Sequence, residues 1–328
     1  MLSTESDDST SNVIVFPVSV FTKICIVNIY IALEICFYIF YKYIITLFID
    51  INIIFISIIM ITNNMIAINE KLNSELNNKL LVLYVFHEYN NRVAQFFQKA
   101  IFYDKNVDFI VIVNDLKLKL QYSAFPSNVK FFIRDNIGFD FGGWSDALLT
   151  NNLYKNYKYF IFVNSSVLGP FINSDYKGNW TDIFINGLQE NNIKLFGSTI
   201  NTLRNPRDAS HVQSYIYSMD IITLEYLIEC GIFSMTKYCA SYSEAVWMRE
   251  VQMSRRIIAN NWNIGSLMTH YKNVDFTFSN KKISDYNITF LEDIYGCDRN
   301  SMTHYWTPNE LVFIKGNRGL KNIKGYDC

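Results

Sequence analysis

Asn136-x-Gly138-x-Asp140-x-Gly142-Gly143 and Asn164-Ser165-Ser166 each gather small polar residues directly behind an apolar, β-branched or aromatic run. A buried parallel strand looks like this when it delivers a ligand-binding loop at its carboxyl end. Glycine lets backbone approach a ligand, and helix N-terminal amides favour phosphate. The first motif lacks the glycine spacing of the dinucleotide fingerprint, and a tight turn with Asp140 or Ser145 capping a helix also accounts for it. In the second, Asn and Ser can hydrogen-bond a ribose or a phosphate but are poor sole ligands for Mg2+ or Mn2+. A polar turn ahead of Gly169-Pro170 is its alternative. Glu250 has Ser254 one turn later on the same helical face, and a carboxylate facing a cleft can take a proton from a hydroxyl. With Arg249, Arg255 and Arg256 nearby, it also reads as a salt-bridged surface residue. His87, His211 and His304 stand at strand or loop ends, and no pair of them has helical metal-ligand spacing. The chain has no Gly-x-Ser-x-Gly elbow and no Walker loop.

The elements that would position these residues follow from periodicity. Strands are expected at Lys79–Glu88, Asp108–Asn114, Val129–Arg134, Tyr157–Val163 and Ile193–Ile200. Val212–Met219 is strand-like, and Glu310–Lys315 gives a late strand. Helices are expected at Asn91–Phe102, from Trp144, and at Trp180–Gln189, Ile221–Gly231 and Tyr242–Asn260. Strands alternating with helices imply an α/β fold around a mostly parallel sheet.

The chain of 328 residues has a net charge of -1, which points away from nucleic acid as a partner. None of its six cysteines forms a Cys-x-x-Cys pair, so a structural zinc site is not expected. Cys230, Cys239, Cys297 and Cys328 could pair, but spacing does not show it. Residues 1–12 are polar and read as disordered, and residues 13–62 are almost continuously apolar. A single membrane span near 43–62 is expected, with a hairpin of two spans as the second choice. No small-residue cleavage site follows, which favours an anchor over a removed signal. A start at Met65 is the alternative. Residues 63–79 read as a linker and 80–328 as a globular domain.

Taken in order, residues 84–90, 134–144, 159–171, 193–201, 211–220, 250–264 and 305–318 resemble a glycosyltransferase of the GT-A type that uses nucleotide-sugars. The rhamnan synthesis protein F-like group, with its eukaryotic and giant-virus relatives, is the family they resemble. The likeness implies a GT-A-like, Rossmann-like sheet behind the membrane segment, and transfer of a sugar to an acceptor hydroxyl on a glycan, lipid or protein. It implies that His87 and Glu88 lie near the base. Asn136, Gly138 and Asp140 would line the nucleotide or sugar side, and Asn164, Ser165 and Ser166 would take the diphosphate position. His211 and Ser214 would face the sugar or acceptor. Glu250, or else Asp140, would be the catalytic base, and His304 and Glu310 would belong to a closing C-terminal segment. The pair of metal-binding carboxylates usual in such enzymes is missing, so the resemblance leaves Mn2+ or Mg2+ open. Arg134, Lys315 and Arg318 are the cations that could neutralise a departing diphosphate in its place. A non-catalytic module that binds a glycan or partner on a degenerate fold is the rival expectation.

Overall fold

The structure is a computed structural model that describes residues 33–47, 51, 79–202, 206–296, 305–320 and 323–325. Two compact units divide the chain, Met1–Glu70 and Lys71–Cys328.

Among the described residues the second unit has eleven strands: β1 Leu80–Phe86, β2 Val107–Val113, β3 Val129–Ile133, β4 Tyr159–Asn164, β5 Val167–Leu168, β6 Ile193–Gly197, β7 Ile200–Asn201, β8 His211–Val212, β9 Ile216–Asp220, β10 Asn263–Ser266 and β11 Ile314–Lys315. Seven of them form one sheet in the order β10-β6-β9-β4-β1-β2-β3. β1, at its centre, is buried at every residue and pairs in parallel with β2 and β4. Burial on both faces explains its unbroken apolar run. β2 pairs in parallel with β3, and β10 with β6. β9 is the exception, antiparallel to both β4 and β6. The sheet is thus mostly parallel.

Register sets the position of the polar loops. Val85 is opposite Asn164, Phe86 opposite Val113, and Val113 opposite Ile133. His87, Asn114, Arg134 and Asn164 therefore leave the sheet at one carboxyl edge, where open α/β sheets bind ligands.

The principal helices are α1 Asn91–Lys99, α2 Phe139–Leu149, α3 Trp180–Asn186, α4 Ile221–Glu229 and α5 Gln252–Ala259. α1 begins where Asn90 Oδ1 accepts the amides of Arg92 and Val93. α2 starts five residues before the helix expected from Trp144, and its two glycines explain the difference. A Cβ on Gly142 would lie 2.2 Å from the Ile137 carbonyl oxygen, and one on Gly143 would lie 2.9 Å from Val85 Cγ2. These glycines let the helix sit close on its own entry turn and on the sheet. Gly138, with φ +75°, makes that turn.

Three more expectations are corrected. The stretch read as one strand from Val212 to Met219 is two, β8 and β9. The strand expected over Glu310–Lys315 begins as a short helix, Pro308–Leu311, and only β11 remains extended. β10 was not anticipated. Cys230 and Cys239 are free thiols, so they do not pair with each other.

In the first unit, residues 33–47 are helical and nearly all exposed. Among the described residues no helix is long and apolar enough to cross a membrane. The polar residues 1–12, most of the expected span at 43–62 and the linker at 63–79 except Lys79 fall outside the described residues.

Candidate functional site

A cleft of about 480 Å³ opens at the carboxyl edge of the parallel strands. His87 and Glu88 reach its rim from the end of β1, Asn136 from the loop after β3, and Asp140 from the first turn of α2. Asn164, Ser165 and Ser166 enter from the end of β4, Ser214 from the β8–β9 turn, and Glu250 from the segment before α5. These nine residues, and Lys315 from β11, were all expected at the site from sequence and border one space.

Asp140 and Asn164 are joined directly, for the Asn164 side-chain amide donates to Asp140 Oδ2 at 2.9 Å. Asn164 Oδ1 in turn accepts from the Ser166 amide at 3.0 Å and the Ser166 hydroxyl at 2.6 Å. Burial pushes the Asp140 carboxyl up to about 6. The Asn164 hydrogen bond and the nearby His87 and Lys315 pull it down, while the Glu250 carboxylate pushes it up.

Glu250 lies in a π-helical turn, Val246–Val251, between the helical residues Tyr242–Ala245 and α5. The helix expected over Tyr242–Asn260 is thus interrupted where this carboxylate projects. Such wide turns carry one residue more than the α repeat. The Ser214 amide donates to Glu250 Oε2 at 2.7 Å, and the Ser214 hydroxyl donates to the same oxygen. His211 Nε2 is 3.7 Å from Glu250 Oε1. His211 Nδ1 is 2.8 Å from the Ala209 carbonyl oxygen, so the tautomer with its proton on Nδ1 makes that bond. His211 is buried behind Glu250 rather than on the cleft wall. Ser254, one turn on, accepts the Val212 amide at 3.0 Å. The helix face read from Glu250 and Ser254 therefore grips the strand segment that carries His211 and Ser214.

Other expected residues are elsewhere. Gly138 packs against Tyr238 and does not line the cleft. Glu310 accepts from the Thr269 amide at 3.2 Å and the Thr269 hydroxyl at 2.7 Å, fastening a loop away from the cleft. His304 lies outside the described residues. Arg134 is already engaged. Its Nε pairs with Asp146 Oδ2 at 2.7 Å, and its Nη atoms donate to Asn114 Oδ1 at 3.1 Å and the Ile137 carbonyl at 2.9 Å. It braces the loop ahead of α2. Arg318 is exposed and does not border the cleft.

Arg92, Phe139 and Tyr242 border the cleft without having been anticipated. Arg92 carried a signal, because a cation in the first turn of a helix opposes the helix dipole. Its Nε donates to the Ser165 carbonyl at 3.0 Å. Phe139 is partly exposed with φ +58°, a backbone conformation that costs a non-glycine residue energy and gathers at functional sites.

The end of β4 does not present the carboxylate pair that usually holds Mg2+ or Mn2+. These ions take several oxygens, usually including carboxylates. Here Asn164 turns its oxygen to Ser166 and its amide nitrogen to Asp140, and Glu250 Oε2 already takes two hydrogen bonds from Ser214. Among the described residues no group of three or more His, Cys, Asp or Glu side chains could hold a metal ion.

No family model matches this chain, and no curated protein matches it. Among solved structures, a cytidylyltransferase from Leptospira borgpetersenii serovar Hardjo-bovis (strain JB197) is similar at 12% identity and a TM-score of 0.32. The match covers 57% of this chain and 74% of that one. A likeness so weak adds nothing to the fold already described.

Proposed function

We propose that this protein is a membrane-associated glycosyltransferase with a GT-A-type fold, moving a sugar from a nucleotide-sugar to an acceptor hydroxyl. The observation that supports it most is the convergence of Asp140, Asn164–Ser166 and Glu250, from three separate elements, on one cleft at the carboxyl edge of the sheet.

In this reading the nucleotide lies toward the ends of β1 and β3, beside His87, Glu88 and Asn136. The diphosphate lies over Asn164–Ser166. Glu250 takes the proton of the acceptor hydroxyl as its oxygen bonds to the anomeric carbon. The bond from that carbon to the diphosphate oxygen breaks, and the diphosphate leaves with the electron pair. Ser214 holds Glu250 Oε2 in place, and His211 backs Oε1. Asp140, tied to Asn164, is the second choice for the base. The acceptor class is a glycan, lipid or protein hydroxyl. The apolar residues 13–62 support membrane association.

Nucleotide release from a panel of nucleotide-sugars, with membrane glycolipid extract as acceptor, tests the reading. Glu250→Gln keeps an oxygen that can accept from Ser214, so the variant should fold. It should lose activity by about 100-fold or more. Full activity in a folded Glu250→Gln protein removes Glu250 from its role. A chain that binds glycan yet never releases nucleotide is a binding module instead.

A further inference from the structure

We infer that the cleft holds the donor diphosphate without a divalent cation, using the Lys315 ammonium and the Arg92 guanidinium as its positive charge. This rests on the donor-site reading above. Three observations lead to it.

The first is the donor set. The β4 end offers hydroxyls and an amide where a hard cation needs carboxylates, and that amide is spent on Asp140 and Ser166. A diphosphate over these residues would still carry about two or more negative charges, which a partly buried site has to meet with cations.

The second is where the cations stand. Lys315 ends β11, which pairs antiparallel with β5, directly beyond Asn164–Ser166. The Gly316 amide donates to the Ser166 carbonyl at 2.7 Å, which fixes Lys315 beside that turn. Arg92 reaches the same turn from α1 through its bond to the Ser165 carbonyl. Both residues line the same cleft, and the Arg92 stem packs against the residue after Lys315, where a Cβ on Gly316 would lie 3.1 Å from Arg92 Cδ. Glycine at 316 thus leaves room for the arginine stem. Residues far apart in sequence build one cationic corner against one polar turn.

The third is that neither charge is taken up by a direct partner, although Lys315 acts on Asp140 from within the cleft. Among the described residues, none forms an ion pair or hydrogen bond with the Lys315 ammonium or with the terminal guanidinium nitrogens of Arg92. Arg134, by contrast, is fully engaged with Asp146, Asn114 and Ile137. An arginine fork and a lysine point charge suit a phosphate group.

The test is calorimetric titration of the full chain in detergent with UDP, GDP, dTDP, CDP and ADP, first in EDTA and then in Mn2+. One diphosphate should bind in EDTA, with an affinity that Mn2+ changes by less than about 3-fold. Lys315→Ala and Arg92→Ala should each weaken it by about 10- to 100-fold. Lys315→Arg should restore most of the loss, and thermal melts should confirm that each variant is folded. Binding that appears only with Mn2+ overturns the inference and leaves the donor site standing. So does wild-type affinity in both folded alanine variants. If no diphosphate binds in either condition, the donor-site reading falls and takes the inference with it.

Discussion

Asp140 is the cleft carboxylate whose protonation the fold shifts. Burial raises its carboxyl from an ordinary 3.8 to about 6. A raised value in the folded state means that the fold prefers the protonated acid. That preference is fully present below about pH 4 and is lost as pH rises through about 6, after which a buried charge opposes folding. Asp140→Asn removes the titration, and its carbonyl can still accept from Asn164. The melting temperature of the variant relative to wild type should therefore climb between about pH 4 and pH 7 and then level off. The gain is at most about 3 kcal/mol, less because the side chain is only partly buried. Thermal melts across pH would sink this if the difference were flat or fell. At this scale the sequence was half legible. Asp140 and Asn164 stood out as polar residues behind apolar runs, and Glu250 as a helical carboxylate one turn before Ser254, though each also had a structural reading that only the ordered family resemblance outweighed. Lys315 was named among three candidate cations only through the family resemblance, and its place at the cleft depends on β11 pairing with β5. Arg92 was passed over, although a cation in the first turn of a helix is itself a signal. Glu310 misled for the converse reason: a carboxylate near a predicted strand end gives no hint that Thr269 will occupy it.

Elements were legible where burial is symmetrical. β1, β2 and β4 are covered on both faces, so each is a continuous apolar run that marks itself. β10 is Asn-Ile-Gly-Ser and has no such run. The place of β9 between β4 and β6 is a matter of strand order, which no local pattern encodes. The π turn at Val246–Val251 was hidden too, because one extra residue barely disturbs the apolar period over so short a stretch. Yet this turn sets the angle at which Glu250 leaves the helix. Deleting exposed Met248 should let the segment close into ordinary α-helix, turning Glu250 away from Ser214 while the packing of α5 on β8 and β10 survives. Nucleotide release should fall by about 100-fold, the usual effect of misplacing a reacting group by an ångström or so. Circular dichroism should still show a cooperative melt. Unchanged release from the deleted protein would mean that the wide turn has no part in placing the carboxylate.

At the scale of the whole molecule, the two units differ in what they do with apolar surface. Among the described residues, every side chain of the buried core belongs to the stretch from Leu80 to Ile323. Residues 33–47, taken alone, expose Phe37, Tyr38, Phe40 and Tyr41 by more than 60% each. Transfer of a large apolar side chain from water is worth about 1.5–3 kcal/mol, so a few suffice to hold a protein at a bilayer. The net charge of -1 offers no general attraction to anionic lipid. Vesicle binding driven by this segment should therefore be as strong on neutral phosphatidylcholine as on vesicles containing phosphatidylserine, and should persist in high salt. In flotation, the full chain should rise with both kinds of vesicle. A chain beginning at Lys71, the start of the second unit, should stay at the bottom and melt cooperatively. Any nucleoside diphosphate that the full chain binds should bind it equally. Flotation of the shortened chain would move the membrane contact into the second unit. Flotation only on anionic vesicles would replace apolar insertion with a charged surface. Failure of the shortened chain to melt cooperatively would show that the core gathered between Leu80 and Ile323 is insufficient by itself.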